Sequence, residues 1–499
     1  MNLPDIPSDI VDAGTHAIAV DHLRKSGVVL PTFAELADPP PAGGALSSAL
    51  HAADPDTSAA ANLFRINWFN DADRTGRAEV PVYLDLPREL TGVRCNILVL
   101  VGRLFPMIRA HKVLAAYACL VPRLVSGLFN PAEHRAVWPS TGNYCRGGIA
   151  ISRMLGCRGV AVLPEGMSAE RFEWLGQWVE RPDDIVRTPG SESNVKEIYD
   201  KCAELAKDPR NVILNQFSEF GNYLAHYACT GPAAAAVLED RSRRGDRLEL
   251  AGFVAGIGSA GTLAAGDYLK REYGARIIAV EPTECPTLLY NGNGEHNIQG
   301  IGDKHVPLIH NVMNTDMVVG ISDRSSDDLN VLFNTEIGQR YLRDRRGIDE
   351  KIVNRLPDLG LSSIANILAA IRVAHRLDLD ERCALVTVAT DGAELYDSER
   401  VMTEKARFGA GFDEIHAGEV FGEHLASADA DHIAELDYRD RKRMFNLGYY
   451  TWVEQQGIEL AEFDRRKDQQ FWHGLLDVLP VWDRLIGEMN AASGAKLAA

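Results

Sequence analysis

Gly256, Gly258 and Gly261 close an apolar run that ends at Ala255, and Ser259, Ala260 and Thr262 stand among them. Glycines let a backbone turn sharply and approach a ligand closely, and the segment 262–273 that follows carries apolar residues at helical spacing. The first free N–H groups and the positive end of that helix point back at the turn, so the chemistry on offer is the binding of an anion. Two kinds of ligand fit the pattern. The spacing Gly256-x-Gly258-x-x-Gly261, with Glu281 twenty residues beyond the last glycine, matches a dinucleotide fingerprint in which the acid holds a ribose hydroxyl. Alternatively, the hydroxyls of Ser259 and Thr262 make the turn a cup for one terminal phosphate.

A second loop has related chemistry. Pro139-Ser140-Thr141-Gly142-Asn143 leads into a helix expected to begin near Cys145. Hydroxyls, an amide and free N–H groups at a helix start form a cradle for a carboxylate. A helix cap accounts for Ser140 or Thr141 alone, but not for the whole run. Cys145 reads as a small buried filler, since no base stands near it in sequence.

The elements that must position these loops alternate. Apolar runs at 96–101, 135–138, 159–163, 184–187, 212–214, 250–255, 276–280 and 383–388 are separated by amphipathic helical segments, the signature of an α/β fold around largely parallel strands. Residues 1–80 hold the Pro/Gly/Ala stretch ADPPPAGGALSSA and read as an N-terminal extension before a core at 81–400. Residues 401–499 read as a helical C-terminal extension, with long helices at 437–456 and 460–489 and no strands.

A formal charge of −18 and a pI near 5.3 argue against binding nucleic acid through its phosphates. The N-terminus shows no basic and apolar leader and no apolar run reaches membrane-spanning length, so a cytoplasmic location without membrane contact is expected. Eight dispersed cysteines without a CxxC pair point to reduced thiols and to no metal site.

Six segments in order resemble the fold-type II pyridoxal-phosphate enzymes of the cysteine synthase, serine dehydratase and tryptophan synthase β group. Ser140-Thr141-Gly142-Asn143 is similar to the family's asparagine loop, and Gly258-Ser259-Ala260-Gly261-Thr262 to its phosphate loop G-x-G-G-T. Asn215-Gln216-Phe217 with Ala225-His226-Tyr227 and Thr230-Gly231-Pro232 resembles D-Q-F, H-Y and T-G-P. His296-Asn297-Ile298-Gln299-Gly300-Ile301-Gly302 resembles H-x-I-Q-G-I-G, and Gly360-Leu361-Ser362-Ser363-Ile364-Ala365-Asn366 resembles G-I-S-S-G-A-N. His111-Lys112 resembles the His-Lys pair of tryptophan synthase β. With six matches in order, a single phosphate suits the glycine turn better than a dinucleotide, and Glu281 need touch no ribose.

The resemblance implies two open twisted α/β domains with pyridoxal 5'-phosphate in the cleft, the smaller and mobile one at about 113–235, in a chain that forms a homodimer. It implies that Lys112 carries the cofactor as a Schiff base, that Asn143 meets its 3-hydroxyl, and that Gly256, Gly258, Ser259, Ala260, Gly261 and Thr262 hold its phosphate. Thr390 falls where the family places a hydroxyl against the pyridine nitrogen, with Asp391 as the rival. Ser140, Thr141, Gly142 and Gln216 would hold the carboxylate of an amino-acid substrate. The implied reaction is elimination or replacement at Cβ through an aminoacrylate; a dehydratase or deaminase, or a non-catalytic partner subunit, are the alternatives. Bulky Met107, Ile108 and Arg109 before the lysine depart from the family pattern, as do Tyr144 and Ile364. Arg109 and Tyr144 are therefore expected on the substrate side, in an enzyme other than a housekeeping cysteine synthase.

Overall fold

Apolar runs without alternation form strands buried on both faces, which is how parallel strands covered by helices read in sequence. The computed structural model describes residues 6–41, 43–140, 142–409, 411–427 and 431–496. Its strands are β1 (Tyr83–Leu86), β2 (Asn96–Val101), β3 (Arg135–Pro139), β4 (Arg158–Pro164), β5 (Ile185–Thr188), β6 (Asn211–Ile213), β7 (Glu249–Gly256), β8 (Arg276–Pro282), β9 (Met317–Ile321), β10 (Cys383–Ala389) and β11 (Ile433–Glu435). Seven of them form one sheet in the order β1-β2-β10-β7-β8-β9-β11, parallel from β2 to β9 with an antiparallel strand at each edge. The other four form a parallel sheet, β5-β4-β3-β6, which lies within 113–235.

Every expected strand is present, and three more appear. β1, β9 and β11 are short, and β11 has only three residues, too few to show a period. β11 corrects the expectation of a strandless C-terminal extension, because Ile433–Glu435 pairs antiparallel with β9 and closes that edge of the large sheet. The long helix expected at 460–489 is also divided, into Leu460–Arg465, Gln469–Leu475 and Leu479–Ser493. Asp468 starts the middle piece by accepting from the Gln470 N–H, and the Trp472 indole donates to the Arg466 carbonyl that the break frees. The Pro/Gly/Ala stretch runs directly into a helix, Gly44–Ala52.

Both extensions meet on the outer side of the helix Lys112–Val125. Tyr117 of that helix donates to the Pro31 carbonyl, and Phe33 sits between the rings of Tyr117 and Trp482, at 5.9 and 5.4 Å. The Trp482 indole, 1% exposed, donates to the Pro7 carbonyl at 2.8 Å. Chain from both ends of the sequence thus backs the helix that opens with Lys112. No helix among the described residues is long and apolar enough to cross a membrane.

Removing the indole leaves a large cavity at this junction. Trp482→Ala is expected to destabilise the protein by about 3–5 kcal/mol, read as a lower midpoint in chemical unfolding. A midpoint equal to that of the parent would show that the C-terminal helix does not brace the core.

Candidate functional site

The C-terminal ends of β3, β7 and β10 face one open cavity between the two sheets, about 650 Å³ with the solvent at its mouth included. Open parallel sheets place ligands at that edge because strand ends and helix starts converge there. Its walls carry Lys112, Ser140, Gly142, Asn143, Tyr144, Gln216, Gly256, Gly258, Ser259, Ala260, Thr262 and Thr390.

After β7 the chain makes the glycine turn, with Ala260 in the left-handed region at φ 63°, then one tight helical turn at Gly261–Leu263 and the helix Ala264–Tyr273. Two of the glycines are there for close approach. A Cβ on Gly258 would stand 2.4 Å from the Gly300 carbonyl oxygen, and one on Gly261 would stand 2.2 Å from Asn222 Oδ1. The N–H groups of Gly258, Ser259 and Ala260 have no backbone acceptor among the described residues. They are the free donors that an anion requires.

Lys112 opens the helix Lys112–Val125 and reaches across to that turn. Its Nζ donates to Ser259 Oγ at 3.2 Å and to Gln216 Oε1 at 3.4 Å. Burial pushes the amine down to about 8, against the opposing charge of Asp303. The Asn222 amide also donates to Ser259 Oγ at 2.9 Å, so the lysine and the glycine turn share one hydroxyl. The chain leading to the lysine passes the end of β10: a Cβ on Gly102 would stand 2.6 Å from the Ala389 oxygen, and the His111 N–H donates to the Thr390 carbonyl at 3.2 Å.

On the opposite wall, Ser140 Oγ accepts from the Gly142 N–H at 3.0 Å and from Gln216 Nε2 at 3.2 Å. Thr141 lies outside the described residues. Asn143 begins the helix Asn143–Met154, donating through Nδ2 to Asp391 and accepting at Oδ1 from Arg146 at 3.0 Å. Tyr144 offers its ring, since its hydroxyl is turned away to the Leu214 carbonyl at 3.1 Å. The Cys145 thiol is buried, pushed up to about 12 by burial, and donates to the Gly142 carbonyl. It is packing, as its surroundings in sequence suggested.

At the floor, Thr390 and Ser362 share a hydrogen bond of 3.0 Å. Asp391 is behind them, its carboxylate taken by the Tyr396 hydroxyl at 2.8 Å and by Asn143. Of the two rivals for a ring nitrogen, Thr390 is on the wall and Asp391 is not.

Arg109 is not brought to this wall, which corrects its expected place beside the substrate. Its guanidinium donates to Asp56 at 2.8 Å, and its side chain is 40% exposed. Glu281 accepts the N–H groups of Leu288 and Leu289 at 2.9 and 2.8 Å, so it holds the start of a short helix. Burial raises its carboxyl to about 7, and no nucleotide function remains for it.

Several wall residues had gone unassigned in sequence. Asp303 directly follows Gly302 of the HNIQGIG segment; burial, reinforced by the charge of Glu192, keeps its carboxyl well above the usual range, while Lys112 opposes the shift. Ser362 sits in a motif without an assigned task; behind the wall, Asn222 of the helix Phe220–Ala225 supports Ser259 Oγ with no spacing signal to mark it. Gln299 Oε1 and Asn366 Oδ1, both on the wall, are buried without a hydrogen-bond partner.

These features fit pyridoxal phosphate. Free donors at the glycine turn suit a phosphate, a buried amine with a lowered pKa suits an aldehyde carbon, and a neutral hydroxyl pair suits a pyridine nitrogen. Unpartnered amide oxygens around the same space are groups that a polar ligand would satisfy.

The family model for pyridoxal-phosphate dependent enzymes matches residues 82–336. A cysteine synthase of Staphylococcus aureus is 29% identical over 262 residues, spanning 52% of this chain and 74% of that one. Cysteine synthase B of Campylobacter jejuni is 32% identical over 245 residues, spanning 48% of this chain and 71% of its own. Among solved structures, an O-acetylserine dependent cystathionine beta-synthase from Helicobacter pylori shares the fold with a TM-score of 0.52 at 23% identity, covering 64% of this chain and 94% of that one.

An amine with a pKa of about 8 is neutral, and therefore nucleophilic, above that pH. The rate at which the cofactor-free protein captures added pyridoxal phosphate, followed by visible absorbance, is expected to rise with pH through a midpoint near 8 and to level off above it. A rise continuing towards 10.5, the ordinary lysine value, would show that Lys112 is solvated.

Proposed function

Because the chain belongs to the pyridoxal-phosphate dependent enzymes, and uses that cofactor for elimination or replacement at Cβ of an amino acid, we propose that Lys112 is the residue that carries the cofactor and moves the substrate's Cα proton. The observation that carries this reading is the contact of Lys112 Nζ with Ser259 Oγ, which joins the one lysine amine among the described wall residues to the glycine turn.

Gly256, Gly258, Ser259, Ala260, Gly261 and Thr262 would hold the phosphate through their N–H groups and hydroxyls, and Asn143 would meet the 3-hydroxyl. Ser140, Thr141 and Gln216 bind the substrate carboxylate, with Gln216 also orienting the lysine amine. Thr390, hydrogen-bonded to Ser362, would meet the ring nitrogen. When bound, pyridoxal phosphate draws electron density from the substrate's Cα, which eases loss of the Cα proton and of a leaving group at Cβ. A hydroxyl at the nitrogen does not protonate it, and that favours departure at Cβ over transamination.

Lys112, neutral above a pH of about 8, takes the proton from Cα. Asp303, whose carboxyl burial raises well above the usual range, donates a proton to the departing group from the same wall. Ile364 lies in the core and does not line the cavity. Tyr144, 1% exposed and on the wall, narrows the site where the family is smaller, so the substrate differs from that of a dedicated cysteine synthase. Turnover of O-acetylserine with sulfide at the rate of such a synthase would overturn that last point.

Borohydride reduction of the holoenzyme followed by peptide mass spectrometry is expected to place the pyridoxyl group on Lys112; an adduct on another lysine sinks the assignment. With an amino acid chosen by spectral screening, Asp303→Asn is expected to lower kcat by ~10²–10⁴-fold while KM changes little. An unchanged kcat would remove Asp303 from the reaction.

A further inference from the structure

The loop that delivers Lys112 runs through two left-handed residues, Met107 at φ 57° and Arg109 at φ 51°. Neither is glycine, asparagine or aspartate, the residues that take this conformation readily, so something outside the loop must hold it there. The contacts that do so come from the N-terminal extension, outside the residues matched by the family model. The Met107 N–H donates to the Pro55 carbonyl at 2.8 Å, and Arg109 Nη2 donates to Asp56 Oδ2 at 2.8 Å.

The turn that offers these two acceptors is itself fixed. The amide of Asn62, which is fully buried, donates to the Asp54 and Thr57 carbonyls at 2.9 and 2.8 Å. Arg65, 2% exposed, donates to the Ala53 and Leu50 carbonyls. Arg74 grips both oxygens of Asp56, at 2.7 and 2.6 Å. Although burial favours the neutral acid, the hydrogen bonds from Arg74 and Arg109 outweigh it and hold the Asp56 carboxyl at about 2. An isolated Arg–Asp pair at the surface restrains little, but this carboxylate is already locked in place by Arg74 before Arg109 meets it.

We infer that Pro55 and Asp56 form a clamp that keeps the lysine loop in its left-handed course and thereby sets where Lys112 stands in the cavity. Only Ala110 and His111, both buried, separate Arg109 from Lys112. Beyond the clamp, the His111 N–H is tied to the Thr390 carbonyl, so the loop is held at both ends. Asp56 and Arg109 are positioning residues, acting through the backbone that leads to the lysine. The inference rests on Lys112 being the cofactor-bearing lysine.

The test compares Arg109→Ala with Arg109→Gly in the holoenzyme. Both lose the ion pair, but only glycine takes a left-handed φ without strain. For an L-residue the left-handed penalty corresponds to roughly tenfold in population. Arg109→Ala is therefore expected to release pyridoxal phosphate about tenfold more readily and to alter the visible circular dichroism of the bound cofactor. Arg109→Gly should stay within about twofold of the parent in both. Asp56→Asn is expected to resemble Arg109→Ala in the parent chain and to add nothing to Arg109→Gly, whereas a role confined to stability would add in both. Equal behaviour of the alanine and glycine variants, whether both impaired or both unaffected, overturns the clamp. Borohydride mapping on the same samples separates the two ideas: an adduct away from Lys112 refutes the assignment of the lysine, while an adduct on Lys112 with indistinguishable variants refutes the clamp alone.

Discussion

An amine buried at the start of a helix is the constraint around which this molecule is arranged. Desolvation disfavours its charged form, and the positive end of the helix Lys112–Val125 disfavours it further. The immediate hydrogen-bond acceptors are a hydroxyl and an amide oxygen, Ser259 and Gln216, which accept a proton without fixing a positive charge. A carboxylate in direct contact would raise the pKa and spoil the nucleophile. Asp303 shares the cavity, and its own burial works against the charge that would do so.

That amine needs both sheets. Gln216 and Ser140 come from the β5-β4-β3-β6 layer, while Ser259 and Thr390 follow β7 and β10 of the larger sheet. Lys112 starts a helix that stands between them and is backed by both ends of the chain. The hydrogen bonds Ser140–Gln216–Lys112–Ser259–Asn222 therefore form a continuous thread from one layer to the other. Such a thread couples the loops, because a shift of either sheet changes the partners of the same amine.

The glycine turn and the asparagine loop were legible as loops because each has a backbone reason that survives translation into spacing: small residues where chains touch, and hydroxyls or amides where a helix begins. Gly258 and Gly261 show this directly, since any Cβ there would collide with Gly300 or Asn222. Arg109 misled for the converse reason. Three residues from the lysine in sequence, it could have pointed into the cavity, but the left-handed backbone turns it to Asp56. β11 was hidden by its length, and Asp303 by the fact that a single acid after a glycine motif carries no period or pattern of its own.

By itself the sequence determined the class of fold and the cofactor, because ordered motifs and apolar strand runs depend on local backbone geometry and on burial, both written residue by residue. Only the tertiary structure decided which groups share the cavity: Thr390 on its wall with Asp391 behind, Asp303 and Ser362 within it, Arg109 outside, and the N-terminal extension against the lysine loop. The physical reason is that these are contacts between segments far apart in the chain, set by how two sheets and both termini pack, and no local spacing encodes them.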